Sequence, residues 1–242
     1  MNFYLSNPFL DKQIAEIRRK IRLSMNGEVS ERMTEYGIVY KQNFGVSIPR
    51  LREMAKSYAK NHDLVRRLWA LKIRETMILA TLLAEEEKFS LENAFEWLAG
   101  CNQMELVEQL CMNLFCRLPY ANQFCVKLVQ SDKFWEKAAG FVLSARIYQQ
   151  LTDDEIKLLI SQAVKNSATN EIYLYKSIAL SLARMSRKNR NTADFILQKI
   201  EDFAYSENIG QQYISYEVKE EIAFFDYAEV HRGKHRDSQS CL

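Results

Sequence analysis

The chain is poor in residues that break helices: 242 residues hold only seven Gly and three Pro. No window of four to eight residues alternates apolar and polar in the way a half-buried strand requires, so a sheet protein is excluded. Histidine is almost as scarce. His62, His231 and His235 are the full complement, too few for a Ser/His/Asp or Cys/His catalytic set or a helix-borne zinc site, and HExxH is absent. His231 and His235, four apart and with Cys241 nearby, make half a metal site with no acid to complete it. No metal and no cofactor are expected. Phosphate-cradling loops are missing, with neither GxGxxG nor a Walker sequence. The five cysteines, Cys101, Cys111, Cys116, Cys125 and Cys241, form no CxxC; four lie in apolar helical stretches and read as small buried hydrophobes in a reducing cytosol. No apolar run approaches the ~20 residues that span a bilayer, and the start MNFYLSNPFLDK is not a signal peptide. The expectation is a cytoplasmic, monomeric protein with no membrane role.

What is present is helix after helix. Hydrophobic residues make up 48% and aromatics 12% of the chain, enough for a sizeable core. Ile14, Ile17, Ile21 and Met25 form one apolar stripe behind Pro8, opposite Arg18, Arg19, Lys20 and Arg22. VSERMTEYG reads as a short helix stopped by Gly37, and 40–49 as a loop. Ser47 caps the next helix, with Pro49 just inside it. Further helices are expected over 63–71, 74–84, 91–98, 104–117, 122–130, 133–149, 153–165, 171–186, 192–205 and 211–225. Helix pairs recur every ~35–40 residues, close to the HEAT-like period. The expected fold is therefore all-α: a HEAT-like helical-repeat solenoid, an α-α superhelix with a concave surface, formed as one domain over 1–228 with a polar, flexible tail over 229–242.

Charge is unevenly spread although the net is +2. Residues 1–80 carry 15 Lys/Arg against 8 Asp/Glu, and residues 81–160 carry 7 against 12. Arg184, Arg187, Lys188 and Arg190 close one expected helix. They serve either as cations complementing a helix C-terminus or as phosphate contacts. Lys133 and Lys137 bracket Trp135, a ring that suits a core or inter-repeat anchor better than a base-stacking platform.

Several segments together resemble the bacterial DNA alkylation repair family, the AlkD-type DNA glycosylases of HEAT-like repeats. They are YGIVYKQNFGVSIPRLREMAK (36–56), LVRRLWALKIRETMILATLL (64–83), WLAGCNQMELVEQL (97–110), FWEKAAGFVLSARI (134–147) and LYKSIALSLAR (174–184). Order and spacing agree over about residues 10–200. The resemblance implies a DNA glycosylase that excises cationic alkylated purines. In that family an Asp steadies the developing positive charge on the sugar and positions water, aromatic rings flank the lesion, an Arg holds the backbone, and base flipping is not needed. Modest electrostatic help suffices for so good a leaving group.

At the matching positions this chain departs from the family. The catalytic Asp position falls on Glu108, or on Glu105 one register away; the lesion-side Trp falls on Gln103 or Met104; two Arg positions become Lys137 and Ala138; a second Trp becomes Leu180. A Glu reaches one methylene further than an Asp, and Lys lacks a planar two-point phosphate grip. The reading is a catalytically degenerate relative that grips double-stranded or distorted DNA through a basic concave groove, using Arg50, Arg52, Lys133, Lys137, Arg184, Arg187 and Lys188. Two alternatives stay open. One is an active glycosylase with Glu108 as the charge-stabilising carboxylate. The other is a protein-interaction scaffold, suggested by the acidic Glu85, Glu86, Glu87, Glu92 and Glu96.

Overall fold

The computed structural model describes the backbone of residues 6–237 and the side chains of residues 6–225. Thirteen α-helices and three short 3-10 turns occupy it, and no strand forms among the described residues; Gln42 and Ile73 make one isolated bridge. The helices are α1 (Pro8–Leu23), α2 (Gly27–Glu35), α3 (Ile48–Ala55), α4 (His62–Ala70), α5 (Arg74–Leu83), α6 (Leu91–Ala99), α7 (Met104–Asn113), α8 (Ala121–Val129), α9 (Phe134–Ile147), α10 (Asp153–Lys165), α11 (Ile172–Ser186), α12 (Arg190–Lys199) and α13 (Ile209–Asp237). The architecture is the all-α helical-repeat solenoid that the sequence implies. The described backbone gathers into two compact units that divide between Pro119 and Tyr120.

Local sequence sets the helix starts. Asn7, Asn26, Ser47, Asn61, Ser90 and Asn189 each accept a backbone N–H in the first turn of the helix that follows, satisfying donors that a helix leaves unpaired. Thr152 and Glu155 complete a reciprocal capping box on α10. Pro8 and Pro49 sit in first turns, where a missing N–H costs nothing. The helix expected to run to 117 stops at Asn113, and Phe115–Arg117 forms a 3-10 turn. The break falls at Leu114, whose backbone (φ −129°, ψ −61°) leaves the helical region; Pro119 only bars the chain from resuming a helix through Leu118, which is extended at ψ 138°. At the other end the helix expected to stop at 225 continues to Asp237, because nothing between 225 and 237 except Gly233 opposes it. Of the tail expected over 229–242, residues 229–237 continue α13; residues 238–242, Cys241 included, and the side chains of His231 and His235 lie outside the described residues.

In the first unit α3, α5 and α7 pack in series, with α4 against α5 and α1 against α4. Trp69 of α4 and Trp97 of α6 stack with ring centroids 4.1 Å apart and planes 2° from parallel, and Phe89 meets Trp97 edge-on at 4.8 Å. Helix α5 is buried along nearly its whole length, including Arg74 and Glu75. Helix α2 buries nothing. It is held to the following loop by Asn26 N–H to the Phe44 carbonyl at 2.8 Å and Ser30 Oγ to the Asn43 carbonyl at 3.0 Å. The contact closes only because Gly45, at φ +68°, has no Cβ to collide with the Asn26 carbonyl.

The second unit is more regular. Helices α9, α11 and α13 form one packed series, and α8, α10 and α12 a second, with α8 against α9 and α11 against α12. Helix α11 lies between α9 and α13. Its interface with α9 includes a buried hydroxyl pair, Ser144 Oγ to Ser181 Oγ at 2.6 Å. Gly140 lets α9 approach α8 closely: a Cβ there would stand 2.7 Å from the Val129 amide nitrogen.

Candidate functional site

The first unit holds both candidate carboxylates, on α7. Leu106, Val107, Leu110 and Cys111 of this helix face the core, so the outward stripe is Met104, Glu105, Glu108 and Met112. Glu105 and Glu108 have different surroundings. Glu105 receives Arg74 Nη2 at 2.5 Å and Arg74 Nε at 2.8 Å, a two-point ion pair, and also the Tyr40 hydroxyl at 2.9 Å. Arg74 is 4% exposed and also donates to the Val46 carbonyl at 2.9 Å and to Glu75 at 3.1 Å. Glu75, wholly buried, takes the Phe44 and Val46 amides at 3.1 and 3.3 Å. These bonds tie the loop after α2, the start of α5 and the start of α7 into one charged knot. Burial pushes the Tyr40 hydroxyl far above its ordinary range, and the neighbouring Glu105 charge adds to the shift. Burial pulls the Arg74 guanidinium down, but Glu105 and Glu75 outweigh it and the net shift is upward. Glu105 is thus committed to holding the helix.

Glu108, one turn further, is exposed on the solvent side of α7 between Met104 and Met112. Arg52 of α3 reaches this stripe, with Nη2 3.5 Å from the Met112 sulfur. Gln103 precedes α7 without capping it, and its amide donates to the Val39 carbonyl at 3.1 Å. Neither Gln103 nor Met104 offers a ring. The tryptophans of this unit, Trp69 and Trp97, are 6% and 4% exposed and stacked on each other. Arg50, also on α3, is exposed, and its Nε stands 3.4 Å from Ser24 Oγ.

In the second unit Leu180 is half-buried on α11. Arg184 and Arg187 follow it at helical spacing and converge on one acid of α13, Glu221: Arg184 at 3.5 Å, and Arg187 through a short ion pair while its guanidinium also covers Phe225 at 4.4 Å. Lys188 turns to the Leu151 carbonyl, with Asp153 3.9 Å away. Lys137 donates to Asn166 at 2.8 Å. Lys133 pairs with Glu136 at 2.9 Å but remains 77% exposed. Of the cations named from the sequence, Arg50, Arg52 and Lys133 therefore stand most open to solvent, while Arg184, Arg187 and Lys188 fasten helix ends together. The acidic stretch is partly neutralised, with Glu85 on Lys88 at 2.9 Å and Glu86 on Lys60 at 2.6 Å. Among the described residues no cluster of three or more His, Cys, Asp or Glu could hold a metal, and no helix is long and apolar enough to cross a membrane. The sequence pattern does not show the Arg74–Glu75–Tyr40 knot. Its one visible signal is an adjacent Arg-Glu pair opening the otherwise apolar RETMILATLL.

Helix pairs stacked in series define a helical-repeat protein. The family described as DNA alkylation repair enzyme matches residues 17–206, and the chain belongs to that family. No curated protein sequence matches it. Among solved structures it is similar to one described as a new family of proteins related to the HEAT-like repeat DNA glycosylases with affinity for branched DNA structures. The two are 12% identical, with a TM-score of 0.70, over 78% of this chain and 82% of that one. At this identity the likeness is one of fold. A designed armadillo repeat protein aligns at 14% identity over 72% of this chain and 92% of its own, with a TM-score of 0.36.

Proposed function

We propose that this protein binds double-stranded or distorted DNA through its phosphate backbone and has lost efficient base excision. The observation that carries the reading is the outward stripe of α7. A carboxylate, Glu108, stands there between two methionines, where the family resemblance calls for a carboxylate beside a tryptophan. Without an aromatic wall, a cationic purine gains little from the site. Backbone binding needs only outward cations, which Arg50, Arg52 and Lys133 supply. Membership of a repair family and a fold shared with a protein that has affinity for branched DNA support the nucleic-acid partner.

A second reading has its own observation. Because Glu105 is clamped, α7 is held in place and Glu108 is presented at a fixed position, as a charge-stabilising carboxylate must be. One sample decides between the two: base release by mass spectrometry from methylated DNA, run beside a salt-varied binding titration. The expected result is binding that falls steeply with salt, weakened by Arg52→Glu, with no release of 7-methylguanine or 3-methyladenine above a heat-killed control. Release that disappears in Glu108→Gln establishes the enzyme instead, and salt-independent or absent binding refutes the DNA reading.

A further inference from the structure

The second unit carries an aromatic row that the backbone-binding reading does not use. Helices α9, α11 and α13 begin at the same end of their series. There Trp135 of α9 and Tyr173 of α11 lie 6.1 Å apart with planes tilted 34°. Phe134 supports Trp135 edge-on at 4.9 Å. On the other side of α11, Tyr175 packs on Tyr213 of α13 at 5.1 Å, and Lys176 stands 5.9 Å over the Tyr213 ring. Buried aromatic anchors need no exposed surface, yet Tyr173 is 38% exposed and Trp135 is only half-buried. Two cations flank the row. Lys133 points outward at 77% exposure while its partner Glu136 is 7% exposed and also takes Ser131 Oγ at 2.7 Å. Lys176 is exposed, and so are the acids Asp132 and Glu171.

We infer that the Trp135–Tyr173–Tyr213 row is a stacking platform for unpaired bases of single-stranded DNA, with Lys133 and Lys176 placed for the phosphates between them. Aromatic faces accept any base, because every base has a π-face, and the flanking ammonium groups track the backbone. The inference rests on the DNA-binding reading above and deepens it: a duplex that opens at a branch, nick or gap offers such bases. The contact is led by stacking, so it weakens less with salt than the grip on duplex phosphates.

The chain reports on this site by itself. Trp69 and Trp97 are buried against each other, so quenching of tryptophan emission by added DNA reads Trp135. The probes are a thymidine oligonucleotide, a blunt duplex, and the same duplex with unpaired thymidine arms. The expected result is quenching by the oligonucleotide and the forked duplex and none by the blunt duplex. Tyr173→Ala, a change at a partly exposed ring, weakens binding of the thymidine oligonucleotide about fivefold or more, leaves blunt-duplex affinity unchanged, and is rescued by Tyr173→Phe. Blunt-duplex binding with no quenching by either thymidine probe overturns this inference and leaves the proposed function standing. Quenching by thymidine without duplex binding removes the proposed function and keeps the platform. Wild-type quenching decides the matter even if Tyr173→Ala fails to fold, and unchanged thymidine affinity in a folded Tyr173→Ala overturns it.

Discussion

Replacing Arg74 with methionine tests the charged knot under α7. The substitution keeps the volume of the side chain and removes every donor. Lost with it are the two bonds to Glu105 at 2.5 and 2.8 Å, the bond to the Val46 carbonyl at 2.9 Å and the bond to Glu75 at 3.1 Å. Glu105, partly exposed, can recover water. Glu75 cannot: it is wholly buried, and its Oε2 already has no hydrogen-bond partner. Removing one member of a buried ion pair costs about 3–5 kcal/mol, because the other charge is stranded. Urea unfolding followed by circular dichroism measures the loss. The diagnostic step is the second substitution. Adding Glu75→Gln to Arg74→Met keeps an oxygen for the Phe44 and Val46 amides and removes the stranded charge, and it should return about 1–3 kcal/mol. A loss below about 1 kcal/mol for Arg74→Met, or no recovery in the double variant, refutes the account of the knot as a compensated buried charge.

Three further outcomes follow from local geometry. Gly45→Ala forces a Cβ onto the Asn26 carbonyl at a backbone angle of +68°; it should cost about 1–3 kcal/mol and raise amide exchange in α2 before anywhere else. Thr152→Ala removes the capping box of α10 and should cost about 1 kcal/mol by thermal unfolding. Burial pushes the Cys101 thiol up from 9.0 to about 12, with Lys72 acting weakly the other way. The folded state therefore holds its proton above the pH at which the unfolded chain releases it. The stability so held is intact below pH 9 and is lost as pH rises from 9 to 12, by about 4 kcal/mol in all. Cys101→Ala should flatten that alkaline limb, and an unchanged limb refutes the assignment.

Much of the fold could be read before any coordinates, because the signals are local. Asn and Ser caps, first-turn prolines and the apolar stripes of the expected helices each act within a few residues. The apolar run carries the helical period on to Arg117, and the break at Leu114 leaves no mark in that pattern. The site was harder. Glu105 and Glu108 look equivalent on paper, three residues apart on one helix. What separates them is Tyr40 and Arg74, which lie 65 and 31 residues away in sequence, and no spacing rule carries that information. The same holds for Arg184 and Arg187. Their shared acid, Glu221, is on another helix, and nothing in the local spacing shows that it links α11 to α13. By its spacing alone Trp135 suits an anchor; its place beside Tyr173 becomes visible only when two repeats are side by side.

Helix α2 has one more consequence. It buries no residue and is held to the loop after it by two backbone-directed hydrogen bonds, a contact from the Asn43 amide to the Met33 sulfur at 3.4 Å and the close approach at Gly45. The free energy needed to detach it is therefore far below that needed to open either unit. A protease should cut the chain first around residues 24–39, before the cores of either unit yield. For the same reason this is where the chain can absorb inserted residues, or exchange its surface for another, without disturbing the helices behind it.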